Sequence, residues 1–228
     1  MRKDHSRLGF LSFEQQNTVG YTTYEKIKHD IIFGKLEPGA KLKLDALKVS
    51  YATSVSTLRE ILNRLASDGF VSAAEQRGFF VTPVSRNDLS EIANLRILLE
   101  CHALRESFEN GDEDWEADLV AAYHKLQLIE SRMQQDGDTE KERWKKYDWE
   151  FHLALVRACN SSNLLALHAT LFGKYLRYQM LVLTYRGEVA CNEHKALFEA
   201  ALARNSAAAT EVLRAHIING VEHTLDAM

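Results

Sequence analysis

The run Leu44–Leu65 constrains this chain more than any other segment. It reads as two short helices joined by a tight polar turn. Leu58, Ile61, Leu62 and Leu65 recur at helical spacing, so they face one core and leave Arg59 and Asn63 on other faces. Ser54, Ser56 and Thr57 open the second helix, and hydroxyls at a helix start suit contact with a phosphate backbone. Phe70-Val71-Ser72 and Phe79-Phe80-Val81-Thr82 then read as a hairpin with Gln76-Arg77-Gly78 at its tip. A helix-turn-helix followed by a wing implies a DNA-reading module.

The residue types fit that task. Arg59 can fork onto a guanine edge or a phosphate. Arg77 can enter a narrow minor groove, where the negative potential attracts arginine, and Gly78 lets the tip turn tightly. Lys43, with Lys41 and Lys48 nearby, can neutralise phosphates. Charge is divided in the same sense. Residues 1–86 carry 13 Lys/Arg against 9 Asp/Glu, a net +4, and residues 87–228 carry 15 against 23, a net −8. A basic front on an acidic back suits a DNA-facing head on a body that stays off DNA.

The remaining pattern predicts a mainly α chain: an N-terminal winged helix-turn-helix and a C-terminal all-α bundle of about six helices. Residues 1–20 lack periodicity and read as a flexible arm. Residues 21–84 read as the DNA-binding domain, and residues 85–228 as the body. Tyr24, Ile27, Ile31 and Ile32 mark a first helix stopped at Gly34, and Ser85 caps the first body helix. Body helices are expected over about 88–108, 114–135, 139–159, 164–185 and 189–203, with Asn205-Ser206 capping a last one. The two prolines, Pro38 and Pro83, fall in turns. No stretch approaches the ~20 apolar residues of a membrane span, so no membrane association is expected. Cys101, Cys159 and Cys191 are odd in number and scattered, which reads as reduced thiols of a cytoplasmic protein.

The body carries a second constellation. Trp144, Asp148, Phe151, His152 and Leu155 share one helical face, which sets a carboxylate beside an imidazole on apolar ground. Such a carboxylate is costly unless paired or coordinated. His194 aligns with Leu197, Phe198 and Ala201, and His216 with Val212 and Asn219. One Asp and three His on helices of one bundle can make a shell for a divalent transition metal such as zinc. His102, His168 and His223 have similar neighbourhoods, and spacing alone does not choose among them. A metal-dependent hydrolase using the Asp/His cluster is the rival reading; no nucleophile elbow or phosphate loop accompanies it, and no catalytic residue is assigned.

The head resembles the winged helix-turn-helix of the GntR superfamily of bacterial transcription regulators. The resemblance rests on Leu36-x-Pro38-Gly39, Leu58-Arg59-Glu60-x-Leu62-x-Arg64-Leu65, Asp68-Gly69-Phe70-Val71 and Arg77-Gly78. The family usually has arginine where this chain has Val55, and often proline at Thr57, so more of the reading falls on Arg59 and Arg77. Residues from about 88 to 224 resemble the FCD domain of the FadR subfamily. Here the matching features are Arg96-x-x-x-Glu100, Asp148-x-x-x-His152 with Asn160 beyond it, His194-x-x-Leu197, and His216.

That resemblance implies metal ligands Asp148, His152, His194 and His216, and a small carboxylate effector seated against the metal. Arg96 matches an arginine able to clamp the carboxylate, although a salt bridge to Glu100 is its alternative role. Arg177 and Tyr178 are expected in the pocket wall. The resemblance further implies a homodimeric repressor of catabolic genes on a near-palindromic operator. The acidic stretch 111–118 resembles a carbon-starvation-induced branch that represses glutarate and 4-aminobutyrate catabolism, which implies glutarate or 2-hydroxyglutarate as the effector.

Overall fold

A computed structural model describes residues 19–136, 140–182 and 185–228. The expected arm falls outside the described residues apart from Val19 and Gly20, which begin the first helix.

That helix, α1 (Val19–Ile32), buries Tyr24, Ile27, Ile31 and Ile32 and ends before Gly34 at φ 78°. A short strand β1 (Lys41–Leu42) follows, then α2 (Leu44–Ser50) and α3 (Val55–Ser67). Ser54 caps α3 by accepting the Thr57 N–H at 3.1 Å, leaving its own start exposed. Leu58, Ile61, Leu62 and Leu65 are buried as one stripe. Strands β2 (Val71–Ala74) and β3 (Gly78–Val81) form the expected hairpin, with Val71 opposite Val81 and Ala74 opposite Gly78. The sheet has a third strand that sequence did not foretell: β1 pairs antiparallel with β3, giving the order β1-β3-β2. Two residues are too few to carry an alternating pattern, so only the partner strand defines β1.

The body comprises α4 (Arg86–Asn110), α5 (Glu113–Asp136), α6 (Lys141–Val156), α7 (Ser162–Val182), α8 (Glu188–Leu202) and α9 (Ser206–Asp226). Ser85 caps α4 by accepting the Asp88 N–H, and Asn205 caps α9 by accepting the Ala208 N–H, both at 3.1 Å. α6 stops three residues short of the expected Cys159, ahead of a left-handed Asn160 at φ 55°. α4 packs on α6, α7 and α9, and α5 packs on α6 and α8. The core they enclose runs from Leu89 to Val221. No helix among the described residues is long and apolar enough to cross a membrane.

Head and body share a seam. Trp149 of α6 and Phe172, Leu176 and Met180 of α7 join the apolar cluster that contains Tyr24, Leu58, Phe70 and Val81 of the head. α7 is therefore a structural member of both halves.

Candidate metal centre and reading head

The body brings four of its titratable side chains to one point. Asp148, His152, His194 and His216 are all buried, and each offers one atom within 4.8 Å of the others. α6 supplies the first two one turn apart, α8 supplies His194 and α9 supplies His216. His152 Nε2 lies 3.3 Å from His216 Nε2, and Asp148 Oδ1 lies 3.2 Å from His194 Nε2 and 3.7 Å from His152 Nε2.

The outward nitrogens are each backed by a glutamate. Glu130 meets His194 Nδ1 at 2.7 Å, Glu193 meets His216 Nδ1 at 2.8 Å, and Glu100 stands 3.6 Å from His152 Nδ1. A carboxylate on the far nitrogen fixes the tautomer that turns Nε2 inward and raises its basicity. Inside the cluster, His194 Nε2 is buried with no well-aligned hydrogen bond. Separations of 3.2–3.7 Å are those of atoms sharing one ion at the ~2.0–2.1 Å bond lengths of zinc, and the wider ones in the set, up to 4.8 Å, close when all four atoms hold one ion. The orphaned nitrogen and the donor set fit a divalent metal.

Electrostatics agree. Burial pushes the Asp148 carboxyl up, but Lys145 and the neighbouring histidines outweigh it and hold it well below the usual carboxylate range. Burial pulls His194 down, yet Asp148 and Glu130 lift it to about 9. Burial depresses His216 to about 3, with the adjacent His194 and His152 adding to the effect against Glu193. Burial also lowers His152, against Glu100 and Asp148. Without an ion, the cluster thus holds one imidazolium and two neutral rings with lone pairs to donate.

Asp148, His152, His194 and His216 line a chamber together with Arg96, Lys145, Tyr175, Gln179, Arg186 and His223. Its free space is only ≈ 20 Å³, about one water. Lys145, which sequence reasoning missed, is buried with Nζ 3.3 Å from Asp148 Oδ2 and 3.7 Å from the Trp144 ring centre. Its i,i+3 spacing from Asp148 was a usable signal. Glu130 and Glu193 were missed too. Glu193 adjoins His194 in sequence, whereas nothing local marks Glu130.

Arg96 lines the chamber, but its fork is already taken. Nε and Nη2 donate to the two Glu100 oxygens at 2.6 and 3.2 Å, and the guanidinium lies between the Phe172 and Tyr175 rings. The salt-bridge alternative describes it better than the clamp. Arg177 and Tyr178 need a correction, because they are not in the chamber wall. Arg177 donates to the Thr82 carbonyl. Tyr178 donates to Asp88 at 2.5 Å and accepts the Ser85 N–H at 3.1 Å, so both tie α7 to the head–body connection. Of the competing histidines, His102 is exposed, His168 stacks on Trp149, and His223 faces the chamber outside the four-residue cluster.

On the head, Lys43, Ser54, Ser56, Arg59, Asn63, Arg77 and Gly78 are exposed and Thr57 is half-buried. None is committed to the core, so all are available to DNA. The Ser54 hydroxyl is shared among Ser56 at 2.7 Å, Thr57 at 2.9 Å and the helix start.

Comparison with known proteins meets this geometry from outside. Residues 21–81 match the bacterial regulatory proteins of the gntR family, and residues 91–219 match the FCD domain. The chain belongs to the GntR family. This GntR-family regulator is 37% identical to the uncharacterized HTH-type transcriptional regulator BphR of Paraburkholderia xenovorans strain LB400, over 87% of the chain and 82% of BphR. It is 32% identical to the HTH-type transcriptional repressor GlaR of Escherichia coli K12, over 90% of the chain and 95% of GlaR. Its fold is that of the solved E. coli McbR/YncC, with a TM-score of 0.78, 23% identity, and coverage of 92% and 99% of the two chains. These families and relatives are transcriptional regulators, not enzymes, which removes the hydrolase reading. GntR regulators bind operator DNA and, through the FCD body, a small-molecule effector; they usually form dimers, and FCD domains can bind metal.

Proposed function

We propose that this regulator is a homodimeric repressor released from its operator by a small carboxylate that binds at a metal in the FCD chamber. Asp148, His152, His194 and His216 hold the ion, zinc by donor type. When bound, such an ion supplies a Lewis-acidic seat for a carboxylate. Lys145, rather than Arg96, is the cation free to meet that carboxylate, because once Asp148 is neutralised by an ion its ammonium has lost its partner's charge. Glutarate and 2-hydroxyglutarate are the candidate effectors, an assignment supported by the likeness to a known repressor, GlaR. In the head, Arg59 and Asn63 address base edges, Arg77 enters the minor groove from a tip that Gly78 lets turn, and Lys43, Ser54, Ser56 and Thr57 address phosphates. Two-fold protein symmetry asks for half-sites about one helical turn apart.

One observation carries the reading: α7 belongs to both halves. Its Phe172, Tyr175 and Gln179 line the chamber, and its Leu176 and Met180 sit in the head's apolar cluster. A chamber with ≈ 20 Å³ of free space cannot admit an acid unless its wall yields. A shift of α7 therefore moves the floor of the head. About 1–3 kcal/mol of coupling is typical of such an arrangement.

The test is an electrophoretic mobility shift on the gene's own upstream DNA with zinc-loaded protein, with and without each acid. Retarded DNA set free by an acid is the expected result, and His194→Ala is to lose metal and release while keeping the retarded band. Binding that is equally weak on any DNA and indifferent to every acid refutes the proposal. A His194→Ala variant with full metal content refutes the ligand set.

A further inference from the structure

Four buried side-chain atoms of residues lining the chamber make no well-aligned hydrogen bond among the described residues: Trp144 Nε1, His194 Nε2, Gln179 Oε1 and His223 Nε2. His194 belongs to the four-residue cluster, and Trp144 stacks under Lys145 beside it. Nothing assigned so far uses Gln179 or His223.

They lie together. Gln179 sits one turn beyond Tyr175 on α7 and donates to its hydroxyl at 2.8 Å. That hydroxyl packs directly against Gly220 of α9, and the side-chain direction of Gly220 points to within 3.8 Å of Gln179 Nε2. His223 is three residues past Gly220, on the next turn of the same helix. Rotating the Gln179 amide exchanges which end is bonded, but one polar end still faces the chamber without a partner. Leaving buried polar groups unpaired is costly, so a fold that keeps two of them on one wall of a binding chamber is built for a ligand to complete.

Their distance from the cluster sets the ligand's length. His223 follows His216 by seven residues, which is two turns on the same face, or about 10 Å along α9. A lone carboxylate seated at the cluster does not reach that far, but a short acid with a polar group at its other end does.

We infer that Gln179 and His223 form a second recognition point, reading the distal polar group of a two-ended acid whose proximal carboxylate sits at the cluster beside Lys145. This rests on the proposal that the chamber binds a carboxylate. The distal group is a hydroxyl, which donates to Gln179 Oε1 and accepts from His223 Nε2–H, or a carboxylate, which accepts from His223 Nε2–H and, with the Gln179 amide rotated so that Tyr175 donates to Oε1, from Gln179 Nε2.

The experiment is calorimetric titration of the zinc-loaded full chain with acetate and with three acids of equal chain length: valerate, glutarate and 5-hydroxyvalerate. Glutarate or 5-hydroxyvalerate is expected to bind at least about tenfold more tightly than valerate, and the tighter of the two identifies the distal group. The gap is expected to close in Gln179→Leu and His223→Leu and to persist in His223→Gln, which keeps a polar head. Zinc content and melting temperature confirm that each variant is folded and loaded. Valerate binding as tightly as both rivals, or a gap that survives both leucine variants, overturns the second recognition point while leaving the carboxylate chamber intact. If the wild type binds none of the four acids, the chamber proposal falls and takes this inference with it.

Discussion

Replacing Arg96 by methionine decides whether this residue is a strut or a ligand clamp. Methionine keeps most of the apolar stem between Phe172 and Tyr175 and deletes only the charged fork. Glu100 is 1% exposed, and burial pushes its carboxyl up. Arg96 is the largest force against that push, with His168 and His152 helping from 3.5 and 3.6 Å, so the group is held well below the usual carboxylate range. Taking the fork away strands a buried carboxylate between two histidines, and breaking such a pair costs about 3–5 kcal/mol. For a body of this size each kcal/mol is worth roughly 2–4 °C, so the melting temperature is to fall by about 6–20 °C. Removing both charges in Arg96→Met/Glu100→Met strands nothing and is to recover most of that loss. It also removes the carboxylate behind His152, so its zinc affinity is to fall about 10–100-fold. The assay is scanning calorimetry of the metal-free chain, followed by zinc titration. Arg96→Met melting within about 2 °C of wild type while failing to respond to any acid would show that the arginine serves the ligand and that the strut argument is wrong.

Other perturbations probe separate parts of the molecule. Gly220→Ala drives a methyl into the Tyr175 hydroxyl and is to cost about 1–3 kcal/mol, recovered in the double variant with Tyr175→Phe; thermal melts that show no recovery contradict the close approach. Arg59→Ala is to weaken operator binding by about 1–3 kcal/mol without changing the melting temperature, and unchanged affinity in a mobility-shift titration removes Arg59 from the reading set. Because His194 is lifted to about 9 in the fold, its charged form stabilises the metal-free chain fully below pH 6.5. That contribution is lost as pH rises through about 9, and zinc, which must displace the proton, is to bind more tightly over the same window. Melting temperatures in chelator that stay flat from pH 6.5 to 9.5 would contradict the lifted imidazolium.

Local pattern was enough for much of this molecule. The stripe Leu58-Ile61-Leu62-Leu65, the Ser54 cap and the Ser85 and Asn205 caps are contacts within four or five residues, so spacing alone reveals them. The same holds for Asp148 and His152, which one turn of helix puts side by side. The mainly α architecture, with a winged head and a helical body, followed from that kind of information. What periodicity cannot supply is the rotation of one helix against another. His194 and His216 join Asp148 while His102 turns to solvent, His168 turns toward Trp149 and His223 lies two turns along α9, yet all have similar apolar neighbours in sequence. α7 makes the point most clearly. Its Tyr175 faces the chamber, Leu176 the head, and Arg177 and Tyr178 the connection between the two halves. A helix buried on three sides has no polar face to orient it, so its sequence says that these residues are inside and only the packed neighbours say inside what.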